Sequence, residues 1–227
     1  MELNLNLSQL RVLGCLIEKQ LTTPEYYPLT LSSLTNACNQ KSNREPVMSL
    51  SESDVLDAIK VLEGKYLVRE KQLPGSRVAK YEHKLTGTLT DQFGFKDSEI
   101  AVLSILFLRG PQTPGEIRTR TQRACDFADI HAVDQVLNNL TDKNGTQYVK
   151  ALSRQPGKRE IRYCHLFGSD ELNNDLRDEE VNESTLSNES TDTKTHTQQE
   201  FEELRNEVTQ IRNELDTLKA QMAQLIN

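Results

Sequence analysis

A mainly α-helical fold with small β-hairpin wings, an α+β unit used twice in tandem ahead of a C-terminal coiled coil, is what the 227-residue sequence predicts. Three observations predict it. A string of short landmarks recurs in the second half of the chain. The hydrophobic period changes from helical to alternating late in each half. An unbroken heptad seam runs close to the C-terminus.

The recurrence comes first because it sets the frame. Ser8-Gln-Leu-Arg-Val-Leu matches Ser98-Glu-Ile-Ala-Val-Leu at an offset of 90 residues, and Thr23-Pro24 matches Thr113-Pro114 at the same offset. Pro74-Gly-Ser-Arg77 matches Pro156-Gly-Lys-Arg159 at an offset of 82. The first half therefore carries eight extra residues, placed around Glu25-Tyr-Tyr-Pro-Leu-Thr. A period this long, seen twice, indicates duplicated domains rather than a solenoid.

Each half reads the same way along the chain. In the first, Ser8 is the expected N-cap of a helix with Leu10, Leu13 and Ile17 on one face. A second helix is expected from about Thr30 to Cys38, and Asn39-Gln-Lys-Ser-Asn43 reads as a turn. Ser51-Glu-Ser-Asp54 starts a third helix with Val55, Ile59 and Leu62 inward. The period then drops to two, and Tyr66–Gln72 and Arg77–Tyr81 flank a Pro-Gly turn as a hairpin. In the second half a helix from about Ser98 to Arg109 stops at Gly110-Pro111. Thr113-Pro-Gly-Glu116 is a capping box with Pro at the first helical position. A helix over about Asp129–Leu140, with Val133, Leu137 and Leu140 inward, precedes strands near Gln147–Arg154 and Arg159–Leu166.

Three helices and a hairpin make a winged helix, in which the third helix can enter a major groove and the hairpin can touch backbone or minor groove. The expected organisation is two winged-helix domains, 1–95 and 96–168, a flexible acidic linker over 169–196 and a coiled coil over 197–227. Pro24-Glu-Tyr-Tyr-Pro-Leu-Thr-Leu, Ala37-Cys-Asn-Gln-Lys-Ser-Asn-Arg44, Leu73-Pro-Gly-Ser-Arg77, Arg109-Gly-Pro-Gln-Thr-Pro-Gly-Glu-Ile117 and Phe167 resemble the YceH-like family of uncharacterised bacterial proteins. The resemblance covers about residues 5–168. It implies a tandem winged-helix fold in a bacterial cytosol, and it brings no catalytic residue with it.

The tail reads differently. From Gly168 to Thr197 the chain is Asp, Glu, Asn, Ser and Thr with scattered Leu and no aromatics, the composition of a disordered linker. Phe201, Val208, Leu215 and Met222 then recur every seven residues, with Leu204, Ile211, Leu218 and Leu225 three places later. That is a coiled-coil seam, and a helix folded back on its own domains is the competing reading. Glu200, Glu207, Glu214 and Gln221 flank the seam on one side and Arg205, Arg212, Lys219 and Ile226 on the other. A parallel partner sets these acids against bases, whereas an antiparallel one sets like against like, so a parallel homodimer is expected.

Composition limits the function classes. The net charge of −7 is uneven: residues 1–170 carry 22 Lys+Arg and 20 Asp+Glu, and residues 171–227 carry 5 and 14. The front part is thus compatible with a nucleic-acid partner without demanding one. No signal peptide and no membrane span are expected, which with the widely spaced Cys15, Cys38, Cys125 and Cys164 predicts free thiols in a reducing cytoplasm. The Asn-x-Thr triplets at Asn139 and Asn144 then carry no glycan. His83, His131, His165 and His196 lack metal-ligand spacing and are expected as surface or strand residues. Neither a phosphate-binding Gly loop nor a nucleophile elbow is present, and acids such as Asp54 and Asp57 read as solvated charge. No enzyme activity, cofactor or metal is expected.

The remaining material is cationic. Arg118, Arg120 and Arg123 cluster around the turn before the sixth helix, and Lys41 and Arg44 occupy the matching turn of the first half. Arg69, Lys71, Arg77 and Lys80 decorate one wing, and Arg154, Lys158, Arg159 and Arg162 the other, with Lys158 and Arg159 at its tip. These are the places where phosphate contacts position a winged helix. The third helix of the first half is acidic, with Glu52, Asp54, Asp57 and Glu63, and enters a groove of phosphates only against repulsion. The sixth offers Gln135, Asn138 and Asn139 beside Asp129 and Asp134. Two functions stand: a double-stranded-DNA-associated, regulatory dimer binding through turns and wings, and a protein-interaction scaffold analogous in fold to the paired winged-helix subunits of condensin-type complexes.

Overall fold

The computed structural model describes residues 3–72, 75, 78–86, 93–154 and 160–169. The linker and coiled coil from residue 170 onward, with the seam Phe201, Leu204, Val208, Ile211, Leu215, Leu218, Met222 and Leu225, lie outside the described residues, as do Arg77, Lys158 and Arg159.

The described part is mixed α/β, with six α-helices and small antiparallel sheets. The first half runs α1 (Leu7–Thr22), a short 3-10 turn (Pro24–Tyr26), β1 (Leu29–Thr30), α2 (Leu31–Cys38), α3 (Glu52–Gly64), β2 (Val68–Lys71) and β3 (Lys80–His83). The second runs α4 (Asp97–Arg109), α5 (Pro114–Thr121), α6 (Ile130–Thr141), β4 (Val149–Ala151) and β5 (Tyr163–His165). β3 lies between β1 and β2, and β4 pairs with β5.

Local chemistry explains most starts. Ser51 and Asp54 form the expected reciprocal capping box on α3, and Thr113 and Glu116 form another on α5, where Pro114 leads the helix. Each such box satisfies two backbone N–H groups left over at a helix start. One expected cap moves: Asn6, not Ser8, caps α1. The Asn6 side chain accepts from the Gln9 N–H at 2.9 Å while Gln9 Oε1 accepts from the Asn6 N–H at 3.0 Å. That reciprocal pair places Ser8 inside the first turn.

The repeat alignment also needs correction between its landmarks. Thr113 caps α5, and the residue that caps α2 is Thr30, not Thr23. Leu29 pairs with Tyr81 on β3, and Gln112 exchanges two backbone hydrogen bonds with Tyr163 on β5. Leu29-Thr30 and Gln112-Thr113 are therefore the equivalent pairs, at an offset of 83 residues. The extra residues of the first half between α1 and α2 fall before Thr30, in the 3-10 turn and its flanks. The equivalence extends through the strands, where Tyr81, His83 and Leu85 match Tyr163, His165 and Phe167 at an offset of 82.

The two halves pack through their first helices. α4 is buried continuously from Glu99 to Leu108, and α1 lies against it. The contact is close at Gly14, where an added Cβ would stand 2.9 Å from Leu108 Cγ and 3.1 Å from Phe107 Cβ. The halves also make equivalent joints. Leu5, just before α1, donates to the Phe167 carbonyl that follows β5 (2.9 Å), and Phe95, just before α4, donates to the Leu85 carbonyl that follows β3 (3.1 Å). One hydrophobic core runs through both halves, from Leu5, Leu13, Leu16 and Leu62 to Leu103, Leu106, Leu137 and Phe167. The packing makes the turns before α3 and α6 neighbours.

Candidate nucleic-acid interface

A cleft of about 530 Å³ opens between those two turns. One wall is the end of α1, with Glu18 and Lys19, and the loop residues Gln40–Asn43; the other is Arg120, Arg123 and Ala124, with Ser104 and Ile105 of α4 also lining it. The first-half loop is held by its own sequence. The Asn39 amide donates to the Leu50 carbonyl and accepts from the Leu50 N–H, both at 2.7 Å, closing the loop at its base. Buried Arg11, 1% exposed, donates to the Cys38 and Pro46 carbonyls. On the second half's side, Glu45 N–H donates to the Leu108 carbonyl at 2.7 Å and Arg109 donates to Asn43 Oδ1 at 2.8 Å.

Charge is distributed unequally within the cleft. Glu18 is engaged by Arg44 Nη2 at 2.6 Å and by Lys19 at 3.4 Å. Burial pushes its carboxyl up, but the hydrogen bond and charge of Arg44 outweigh that and hold it below its ordinary value. Arg120 is paired with Glu116 at 3.3 Å on the preceding turn of α5. Lys41 and Arg123 are exposed and make no hydrogen bond or ion pair among the described residues. Arg109, beside Arg120, is shifted below its ordinary range by burial and then by that neighbouring charge. The cleft therefore presents unneutralised cations from both halves, Lys41 on one wall and Arg123 on the other.

The residues expected from sequence to touch phosphate divide accordingly. Lys41, Arg120 and Arg123 come together in the cleft. Arg44 does not point outward: it is 3% exposed, and its donors go to Glu18, Gln40 Oε1 and the Ala37 and Asn43 carbonyls. Burial opposes its charge and the Glu18 hydrogen bonds overcome that, so its expected phosphate role becomes one of holding the loop. Arg118 is exposed but donates to the Phe127 and Ala128 carbonyls at 3.2 and 2.8 Å, fixing the loop that leads into α6. In the first hairpin Arg69 and Lys71 both pair with Glu82 across the β2–β3 ladder. Arg154 is exposed at the edge of the second hairpin. Lys19 and Arg109 are cations in the last turns of α1 and α4, an ordinary place for a basic residue that gives no sequence signal of a site.

Two histidines are core residues. His83 and His165 occupy equivalent places at the ends of β3 and β5, and each Nδ1 accepts from the backbone N–H two residues on, Leu85 at 3.2 Å and Phe167 at 3.3 Å. Burial pulls both imidazoles down to about 4. None of the four cysteines is joined in a disulfide, and Cys15, Cys38 and Cys164 are buried. Among the described residues no group of three or more His, Cys, Asp or Glu side chains could hold a metal, and no helix is long and apolar enough to cross a membrane.

Comparison with known proteins adds relatives. Residues 5–158 match the family described as "Protein of unknown function, DUF480". A "UPF0502 protein" of Aliivibrio salmonicida (strain LFI1238) is 45% identical over 220 residues, covering 97% of this chain and 94% of the relative. One from Vibrio parahaemolyticus serotype O3:K6 is 44% identical over 227 residues, covering all of both chains. One from Yersinia pseudotuberculosis serotype O:1b is 42% identical over 225 residues, covering 99% of this chain and 94% of the relative.

Proposed function

The chain belongs to the bacterial protein family of unknown function DUF480, the UPF0502 proteins, and from that premise we propose that it is a non-enzymatic, tandem winged-helix, DNA-associated protein of the cytoplasm. The observation that carries this reading is the shared cleft. The turns before α3 and α6 are the backbone-contacting turns of two helix-turn-helix units, and their free cations, Lys41 and Arg123, line one opening with Arg120. A phosphate backbone laid along that opening is bound by both halves at once. The paired Glu18 and Glu116 oppose it little, because each already has a cationic partner. Dimerisation through a parallel coiled coil over 197–227 would double the contacts on one duplex, raising avidity without a new contact type.

The test is binding of the full chain to duplex DNA, followed by fluorescence anisotropy as salt is raised. Backbone binding predicts an observed affinity that falls linearly on log–log axes, by about 0.9 in slope per phosphate contact. The protein-scaffold reading predicts no such binding, and recovery of the same protein partners from native cytosol with and without nuclease.

A further inference from the structure

The two third helices present opposite chemistry, although they hold equivalent places in the repeat. On α3 the exposed polar groups are largely satisfied from within. Asp54 accepts from Ser51 in the capping box, Asp57 is paired with Lys60 at 2.9 Å, and Glu63 accepts from the Glu70 N–H. The net charge of its outer face is negative, with Glu52, Asp54 and Asp57 against Lys60. On α6 the exposed stripe is His131, Gln135 and Asn138, spaced four and three residues apart and so aligned on one face. These three side chains make no hydrogen bond among the described residues. The nearby acids are turned to other work or set aside: Asp129 accepts from the Ala132 N–H as the N-cap, and Asp134 is half-buried one step around the helix. The opposite face, Val133, Leu137 and Leu140, is fully buried, so the stripe's direction is fixed by the core.

We infer that α6, and not α3, is the base-reading helix, with Gln135 and Asn138 recognising adenine in the major groove of duplex DNA. The carboxamide is the side chain suited to adenine, because its oxygen and its NH₂ can accept from N6 and donate to N7 together. A stripe without acids carries no repulsion into a groove walled by phosphates, whereas the α3 face does. Placement supports the assignment. Arg118 clamps the loop entering α6 through Phe127 and Ala128, and Arg120 and Arg123 stand just before that loop, where a backbone contact would seat the helix. Arg118 is thus a positioning residue, and the repeat has divided its labour: the first half supplies a backbone contact through Lys41, and the second supplies both backbone contact and readout.

The inference rests on the DNA reading above, and the experiment separates the two. The full chain selects from a pool of short random duplexes, the bound fraction is sequenced, and salt dependence is measured on the same pool. The wild type should enrich adenine at defined positions, on the order of tenfold for each base read. Gln135→Ala and Asn138→Ala should each flatten one of those positions while leaving the salt slope unchanged. Gln135→Glu should move its position from adenine toward cytosine, whose amino group a carboxylate accepts from. Lys60→Ala on α3 should leave the preferences as they are. A flat wild-type pool, or a preference that survives both alanine variants, overturns the assignment to α6 while backbone binding stands. The absence of any salt-sensitive binding overturns both.

Discussion

Acidifying the protein through the range in which histidines titrate should lower its stability well before most of its carboxylates are protonated, and the structure sets the size of the effect. His83 and His165 are 6% and 8% exposed, and each is held neutral with a pKa of about 4. In the unfolded chain an imidazole titrates near 6.5. Between those values the unfolded state binds more protons than the folded state, so stability is fully present above about pH 6.5 and falls as pH drops toward 4. At pH 5 each histidine has removed about 2 kcal/mol, and the pair about 4 kcal/mol, a large share of the 5–15 kcal/mol typical of a folded domain. Burial is the dominant cause at both sites, and the Glu82 charge offsets only part of it at His83 because Arg69 and Lys71 already engage that carboxylate. Nor does an acceptor wait for the incoming proton: at each histidine it must add to Nδ1, the nitrogen that already accepts from a backbone N–H. Urea unfolding followed by far-ultraviolet circular dichroism, suited to a chain without Trp, measures the effect from pH 7.5 to 5. The variants His83→Asn and His165→Asn keep an acceptor for the Leu85 and Phe167 N–H groups but cannot titrate. Each should remove about half of the pH-dependent loss, and the double variant nearly all of it. A double variant whose stability falls with pH as steeply as the wild type's would show that the buried imidazoles are not its source.

Three further outcomes follow from the packing and from the tail. Gly14→Val places a branched side chain against Leu108 and Phe107 at the α1–α4 crossing, and overpacking there should cost about 1–3 kcal/mol in the urea midpoint. Arg44→Ala strips the cation from Glu18 and the donors from the Ala37 and Asn43 carbonyls; it should destabilise the chain by about 3 kcal/mol, where a surface arginine such as Arg123→Ala should change stability by less than about 0.5 kcal/mol. Deleting residues 197–227 should halve the mass seen by light scattering, because the seam from Phe201 to Leu225 is the expected dimer contact; an unchanged mass at the same concentration would contradict it.

The sequence was most legible where one residue type has one local job. Ser51 with Asp54 and Thr113 with Glu116 cap the helices they were expected to start, and the switch to alternating period located both hairpins. It was least legible where a side chain's partner lies far along the chain. Arg44 reads as a solvent-facing turn cation, yet Glu18, 26 residues away, takes it inward. His83 and His165 were expected on the surface or in strands; they are strand residues, and only the assembled core reveals their burial. Thr23-Pro24 imitates Thr113-Pro114 closely enough to mislead the alignment, because β1 pairing, which singles out Thr30, is made with a strand some 50 residues later. The meeting of Lys41 with Arg120 and Arg123 depends on how α1 crosses α4, which no short-range pattern encodes.

That meeting is tested most directly by the salt dependence of DNA binding in the triple variant Lys41→Ala, Arg120→Ala, Arg123→Ala. All three lie on the surface or half-exposed and none contributes to the core, so the variant should fold with the wild-type circular dichroism spectrum. If the cleft seats a phosphate backbone, the slope of log affinity against log salt should fall by about two to three relative to wild type. A folded variant with the wild-type slope, or a wild type that binds no duplex at low salt, would contradict the proposed role of the cleft.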